Sequence, residues 1–161
     1  MSYKRILVPV QGNECDRRAI ELATVIANGS GAEIALVYVV EVAQKLPLEA
    51  ELPNEIERAE HALALSENWA THAGAGKGAR IYPELLQARA AGPAIVDEAV
   101  ERGVDLIVMA LRAHKRHGRP VVGETVPYVL KNSPCEVVVT RSAGSAGFDA
   151  CEWLPVEVAA R

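Results

Sequence analysis

The chain is poor in the features that announce chemistry. Its 161 residues hold three cysteines, Cys15, Cys135 and Cys151, widely spaced and without a Cys-x-x-Cys pair, so neither a disulfide framework nor a thiolate zinc site is indicated. No motif supplies an activated thiolate, and each cysteine reads as a small apolar side chain. His114 and His117 could share a face of one helical turn, yet no third Cys, His or carboxylate follows at ligand spacing; no metal is expected. The apolar runs are only a handful of residues long, which argues against a membrane span. The chain enters a strand-like segment at Arg5 with no apolar leader before it, so a cytoplasmic location is expected. A formal net charge of -4 lacks the basic footprint of a nucleic-acid binder and serves solubility. No nucleophile with an adjacent base, and no general acid paired with a base, is legible, so no enzymatic activity is expected.

What is present is a globular composition, 50% hydrophobic and 24% charged, in a length that suits one domain. The continuous, β-branched run Ile6-Leu7-Val8-Pro9-Val10 suits a central strand buried on both faces. After Gln11-Gly12-Asn13, a helix is expected over 14–28, with Ala19, Leu22, Ala23 and Ile26 on one stripe, stopped by Asn28-Gly29-Ser30-Gly31. A second strand follows over 33–40. An acidic surface loop between Pro47 and Pro53 then leads into an Ala/Leu/Glu-rich helix over 54–72, where Trp69 reads as packing and His61 and His72 as surface. The glycine cluster at 74–78 ends that helix, and a third strand is expected over 79–84. Gly92-Pro93 opens a third helix with an apolar stripe of Ile95, Val96, Ala99 and Val100. A fourth strand over 105–109, a helix over 123–132 and a fifth strand over 135–141 complete a domain of residues 1–141. Residues 142–161 form a tail without periodicity.

Strands alternating with helices imply right-handed crossovers, hence a parallel sheet covered on both faces: an α/β, doubly wound, Rossmann-like domain. Such sheets bind ligands beyond the carboxyl ends of the strands, where the strand order reverses. That directs attention to Val10 and Gln11, to Val39 and Val40, and to the segment following Met109.

The segments Gly92-Pro93-Ala94-Ile95-Val96-Asp97-Glu98-Ala99, Gly103-Val104-Asp105-Leu106-Ile107-Val108-Met109, Gly123 through Val129, and Ser133-Pro134-Cys135-Glu136-Val137-Val138-Val139 resemble a universal stress protein. So does the opening Lys4-Arg5-Ile6-Leu7-Val8-Pro9-Val10. The likeness runs in order from about Ser2 to Arg141. It implies a five-stranded parallel sheet in the order 3-2-1-4-5, of the adenine nucleotide α-hydrolase type, and frequent dimerisation through the last strand. It also implies ATP binding in the branch that carries G-x2-G-x9-G-(S/T) after the fourth strand. Here that motif is degenerate: Ala110 and Ala113 stand at the first two glycines, Gly123 at the third, Glu124 at the Ser/Thr and Thr125 beside it. Gln11 stands where the family often has Asp.

The departures differ in weight. Alanine narrows the backbone's approach to a phosphate and disfavours positive φ. Glu124 sets a carboxylate where a phosphate would lie, although it also suits a helix start electrostatically. Against this loss stands a gain in charge: Arg112, Lys115, Arg116 and Arg119 put four cations into eight residues on the segment that should face the crevice, enough to attract a phosphate or an acidic partner. The plainer reading is a solvated, charged loop. The expected function is therefore a non-enzymatic stress-response or regulatory domain that binds an adenine nucleotide (ATP, AMP or a cyclic dinucleotide) or a related anion, weakened for ATP, with no cofactor required. The alternative is a dimeric interaction module whose nucleotide site has lapsed, paired through Val137, Val138 and Val139. In this family, basic-loop versions of the domain occur attached to membrane transporters, so a transporter is that module's expected partner.

Overall fold

Ile6, Leu7 and Val8 are at most 1% exposed because the strand they form, β1 (Arg5–Pro9), is covered on both faces. The computed structural model describes residues 2–117 and 119–141, and the side chains of 113–116 and 119–121 lie outside that description. The order along the chain is β1, α1 (Glu14–Ser30), β2 (Glu33–Glu41), α2 (Pro53–His72), β3 (Arg80–Ala88), α3 (Ala91–Arg102), β4 (Leu106–Ala110), β5 (Ala113–Arg116), β6 (Arg119–Val122), α4 (Thr125–Asn132) and β7 (Glu136–Thr140).

Five strands form one parallel sheet in the order β3-β2-β1-β4-β7. This is the expected 3-2-1-4-5 order, with β7 as its fifth strand. Alternate residues feed opposite faces. Ile6, Val8, Ile34, Leu36, Leu106 and Val108 pack with Ala19, Ile20, Ala23 and Ala27 of α1 and with Leu63 and Ala70 of α2. Leu7, Ala35, Val37, Ile107 and Met109 pack with Ile95 and Ala99 of α3 and with Val126 and Val129 of α4. Trp69 packs against the first of these cores, as its place on the helix suggests.

Helix boundaries follow capping chemistry. Asn13 caps α1, its side chain accepting from the Asp16 N–H in a reciprocal capping box, and Gly31 ends the helix in the left-handed conformation. β3 runs four residues past its expected end at Glu84, because pairing with β2 continues to Glu41↔Ala88. As an edge strand it tolerates Pro83.

Two expectations are corrected. The basic segment after β4 is an antiparallel ribbon, with Ala113 opposite Val122 and Arg116 opposite Arg119. The charges suggest a solvated loop, but Val121 and Val122 favour extended backbone, and His117 supplies the positive φ of 51° near the turn. Cysteine chemistry differs as well: Cys135 is free, whereas the buried Cys15 is disulfide-bonded. Burial pushes the Cys135 thiol above its ordinary value, and the Ser133 hydroxyl opposes it. The tail at 142–161 lies outside the described residues.

At the opposite end of the sheet, Asp105 Oδ2 accepts from the Lys4 and Arg5 amides at 2.7 and 3.0 Å. These bonds, with the Lys4 amide foremost, hold its carboxyl below the usual carboxylate value. A carboxylate lowered in the folded state contributes stability above its unfolded value of about 3.9 and loses it as the pH falls through the folded value. Asp105→Asn should therefore have a lower urea midpoint than the native chain at pH 7, with the gap closing as the pH falls below about 4. A gap independent of pH would show that the charge contributes nothing.

Candidate functional site

β1 and β4 lie side by side, with Ile6 opposite Leu106 and Leu7 opposite Ile107. Beyond their carboxyl ends the chain departs to opposite faces, from β1 into α1 and from β4 through the ribbon into α4. The gap left between them is a cavity of about 260 Å³.

Nine of the sequence-expected site residues line it: Pro9, Val10 and Gln11 at the end of β1, Val39 on β2, Met109, Ala110 and Arg112 at the end of β4, and Gly123 and Thr125 at the start of α4. Val37, Ala91, Ile95 and Val126 complete the wall. Sequence reasoning missed these four, although period two pointed from Val39 to Val37 and the helical period from Ala91 to Ile95. Glu124 is placed differently from its expected role. It is the N-cap of α4, makes no side-chain capping bond, is exposed and stands outside the cavity wall. Ala113, Lys115, Arg116 and Arg119 belong to the ribbon, and their side chains are outside the described part. Among the described residues His117 alone, apart from glycines, has a positive φ, so Ala110 and Ala113 take ordinary backbone where the family's glycines would be free to differ. Ala110 continues the β4–β7 ladder opposite Thr140.

Polar order at the site centres on Asp16, in the first turn of α1 and 0% exposed. Its Oδ2 accepts from the N–H groups of Gln11 at 2.7 Å, Gly12 at 2.8 Å and Asn13 at 3.3 Å. Its Oδ1 accepts from Arg112 Nη2 at 3.0 Å. The tight turn needs Gly12: its φ is 81°, and a Cβ there would lie 2.7 Å from the Ala62 Cβ. On the other side of the cavity, Glu41 Oε1 accepts from the Ala91 N–H at 3.1 Å at the start of α3. Tyr38, on the α1 side of β2, is half-buried; burial raises its hydroxyl above the ordinary value, with the Arg112 and Arg58 charges opposing.

The wall thus combines apolar side chains with one guanidinium, one carboxamide and one hydroxyl. Arg112 is its cation, with a side chain 27% exposed. No carboxylate, histidine or cysteine is among the described lining residues. Among the described residues there is no cluster of His, Cys, Asp and Glu able to hold a metal, and no helix is long and apolar enough to cross a membrane. Such a wall can hold and orient an anionic ligand with an apolar body.

A doubly wound sheet with a ligand-sized cavity at its order reversal is the architecture of nucleotide-binding α/β proteins. The model of the universal stress protein family matches residues 2–141, and the chain belongs to that family. It is 31% identical over 149 residues to a universal stress protein of Methanocaldococcus jannaschii, covering 86% of this chain and 82% of the relative. A universal stress protein solved in complex with cAMP superposes with a TM-score of 0.67 at 20% identity, over 89% of this chain and 100% of that one. One from Archaeoglobus fulgidus, solved in complex with dAMP, gives 0.65 at 20% identity, over 86% and 98%.

Proposed function

We propose that this protein is a non-enzymatic regulatory universal stress protein that holds an adenine nucleotide or a related phosphate ligand in the cavity at the ends of β1 and β4. The observation that carries the reading is the make-up of that cavity. Val37, Val39, Ile95 and Met109 offer apolar surface to a purine, Gln11 offers a carboxamide, and Arg112 offers a cation for phosphate. The cAMP and dAMP complexes of two proteins of the same fold support it. Ala110 and Ala113, standing where the family motif has glycines, weaken the site for a triphosphate. In this reading the protein works in the cytoplasm by changing its partners with ligand occupancy.

A second reading is favoured by one feature, the outer edge of β7, which no other described strand pairs. The Leu111 N–H donates to the Thr140 carbonyl across the β4–β7 ladder, so Thr140 and Val138 direct their backbone groups toward β4. Val137 and Val139 then turn theirs outward, a row open to pairing with a second copy. A dimeric interaction module acting on a transporter would use this edge with or without nucleotide.

Titration calorimetry with AMP, ATP and cyclic dinucleotides tests the first reading. Saturable binding of an adenine nucleotide, with ATP the weaker, is expected, and no heat from any of them at millimolar concentration would sink it. For the edge, sedimentation at micromolar concentration should give twice the chain mass, reduced to one by Val139→Pro, which removes an outward N–H. A monomeric native chain would exclude this pairing.

A further inference from the structure

We propose that Asp16 is a positioning residue of this site: from behind the β1–α1 turn it presets the Arg112 guanidinium for a ligand's phosphate. The proposal rests on the nucleotide reading above and concerns how that site selects an anionic group. Asp16 stands outside the cavity wall and is fully buried. A buried carboxylate persists only when its oxygens are satisfied, and here Oδ2 takes three turn amides while Oδ1 takes Arg112.

Two consequences follow for a ligand. The amides of Gln11, Gly12 and Asn13 would otherwise form an anion-binding concavity, but an internal carboxylate already occupies them, so the turn itself offers no seat to a phosphate. Recognition of the charge falls to Arg112, the cation of the described wall. Its Nη2 is fixed by Asp16, and the rest of its fork has no other hydrogen-bond partner among the described residues. A guanidinium already held in place loses little freedom when it closes on a phosphate. The carboxylate that Gln11 does not supply is thus returned to the same turn from one helical turn further on. Were Asp16 only a helix cap, its loss would weaken the fold and every ligand alike.

Asp16→Asn separates the two roles. An asparagine oxygen can still accept from the turn amides, but its NH₂ then faces the guanidinium, donor against donor, and Arg112 is displaced. Calorimetry with AMP and adenosine on the native chain, Asp16→Asn, Arg112→Gln and the double variant reads the effect. We expect the native chain to prefer AMP over adenosine about tenfold, one charge-assisted contact's worth. Each single variant should cut that preference to within about twofold with adenosine affinity unchanged, and the double variant should be no worse than Arg112→Gln. Asp16→Asn that keeps the tenfold preference, or loses AMP and adenosine equally, overturns the proposal. Should Asp16→Asn fail to fold, Arg112→Lys serves: it keeps the charge but not the fork, so loss of the preference supports positioning and full retention refutes it. Adenosine bound as tightly as AMP by the native chain overturns this proposal alone; binding of neither removes the nucleotide reading with it.

Discussion

The divergence of the chain after two neighbouring strands governs everything else at this end of the molecule. β1 and β4 run parallel and adjacent, yet α1 packs on one face of the sheet and α4 on the other. Side chains cannot close the gap this leaves without sacrificing one of the crossovers. The cavity is therefore a by-product of topology, and its chemistry is set by whichever residues happen to terminate the strands and begin the helices.

In this chain those residues are apolar except at a few points, and two places in the wall are held from outside the cavity. Arg112 is anchored on Asp16 and the start of α3 on Glu41. Burying Asp16 is tolerable because it takes backbone N–H groups that the tight turn leaves unpaired. The same bonds tie the β1–α1 turn to the end of β4, so the two strand ends that define the cavity are joined through Asp16 and Arg112. Structure and site share one polar connection.

Much of the fold was legible. Residues 6–8, 34–37 and 106–109 are apolar runs that only a doubly covered sheet can bury, and glycines such as Gly31 and Gly103 stop helices with positive φ. Val10, Gln11, Val39, Ala110 and Arg112 of the cavity wall followed from the topological rule, and Gly123 and Thr125 from the family resemblance. The ribbon was obscured because its three cations, with Arg112 just before them, dominate the pattern while Val121 and Val122 carry the strand signal. Asp16 escaped notice because a carboxylate in a first helical turn looks like ordinary dipole compensation; its link to Arg112, 96 residues away, exists only in three dimensions. Glu124 read as an obstacle inside the site and proves to be an exposed N-cap, since one residue of phase at a helix start decides which side chains face inward.

The central claim is that the ligand sits at the ends of β1 and β4, and the amide shifts of the protein on addition of AMP test it most directly. Val10, Gln11, Val39, Ala110, Gly123 and Thr125 should move together and saturate. Shifts confined elsewhere, such as the groove of Arg17, Trp69 and His72 between α1 and α2, or no shifts at all, would contradict the account.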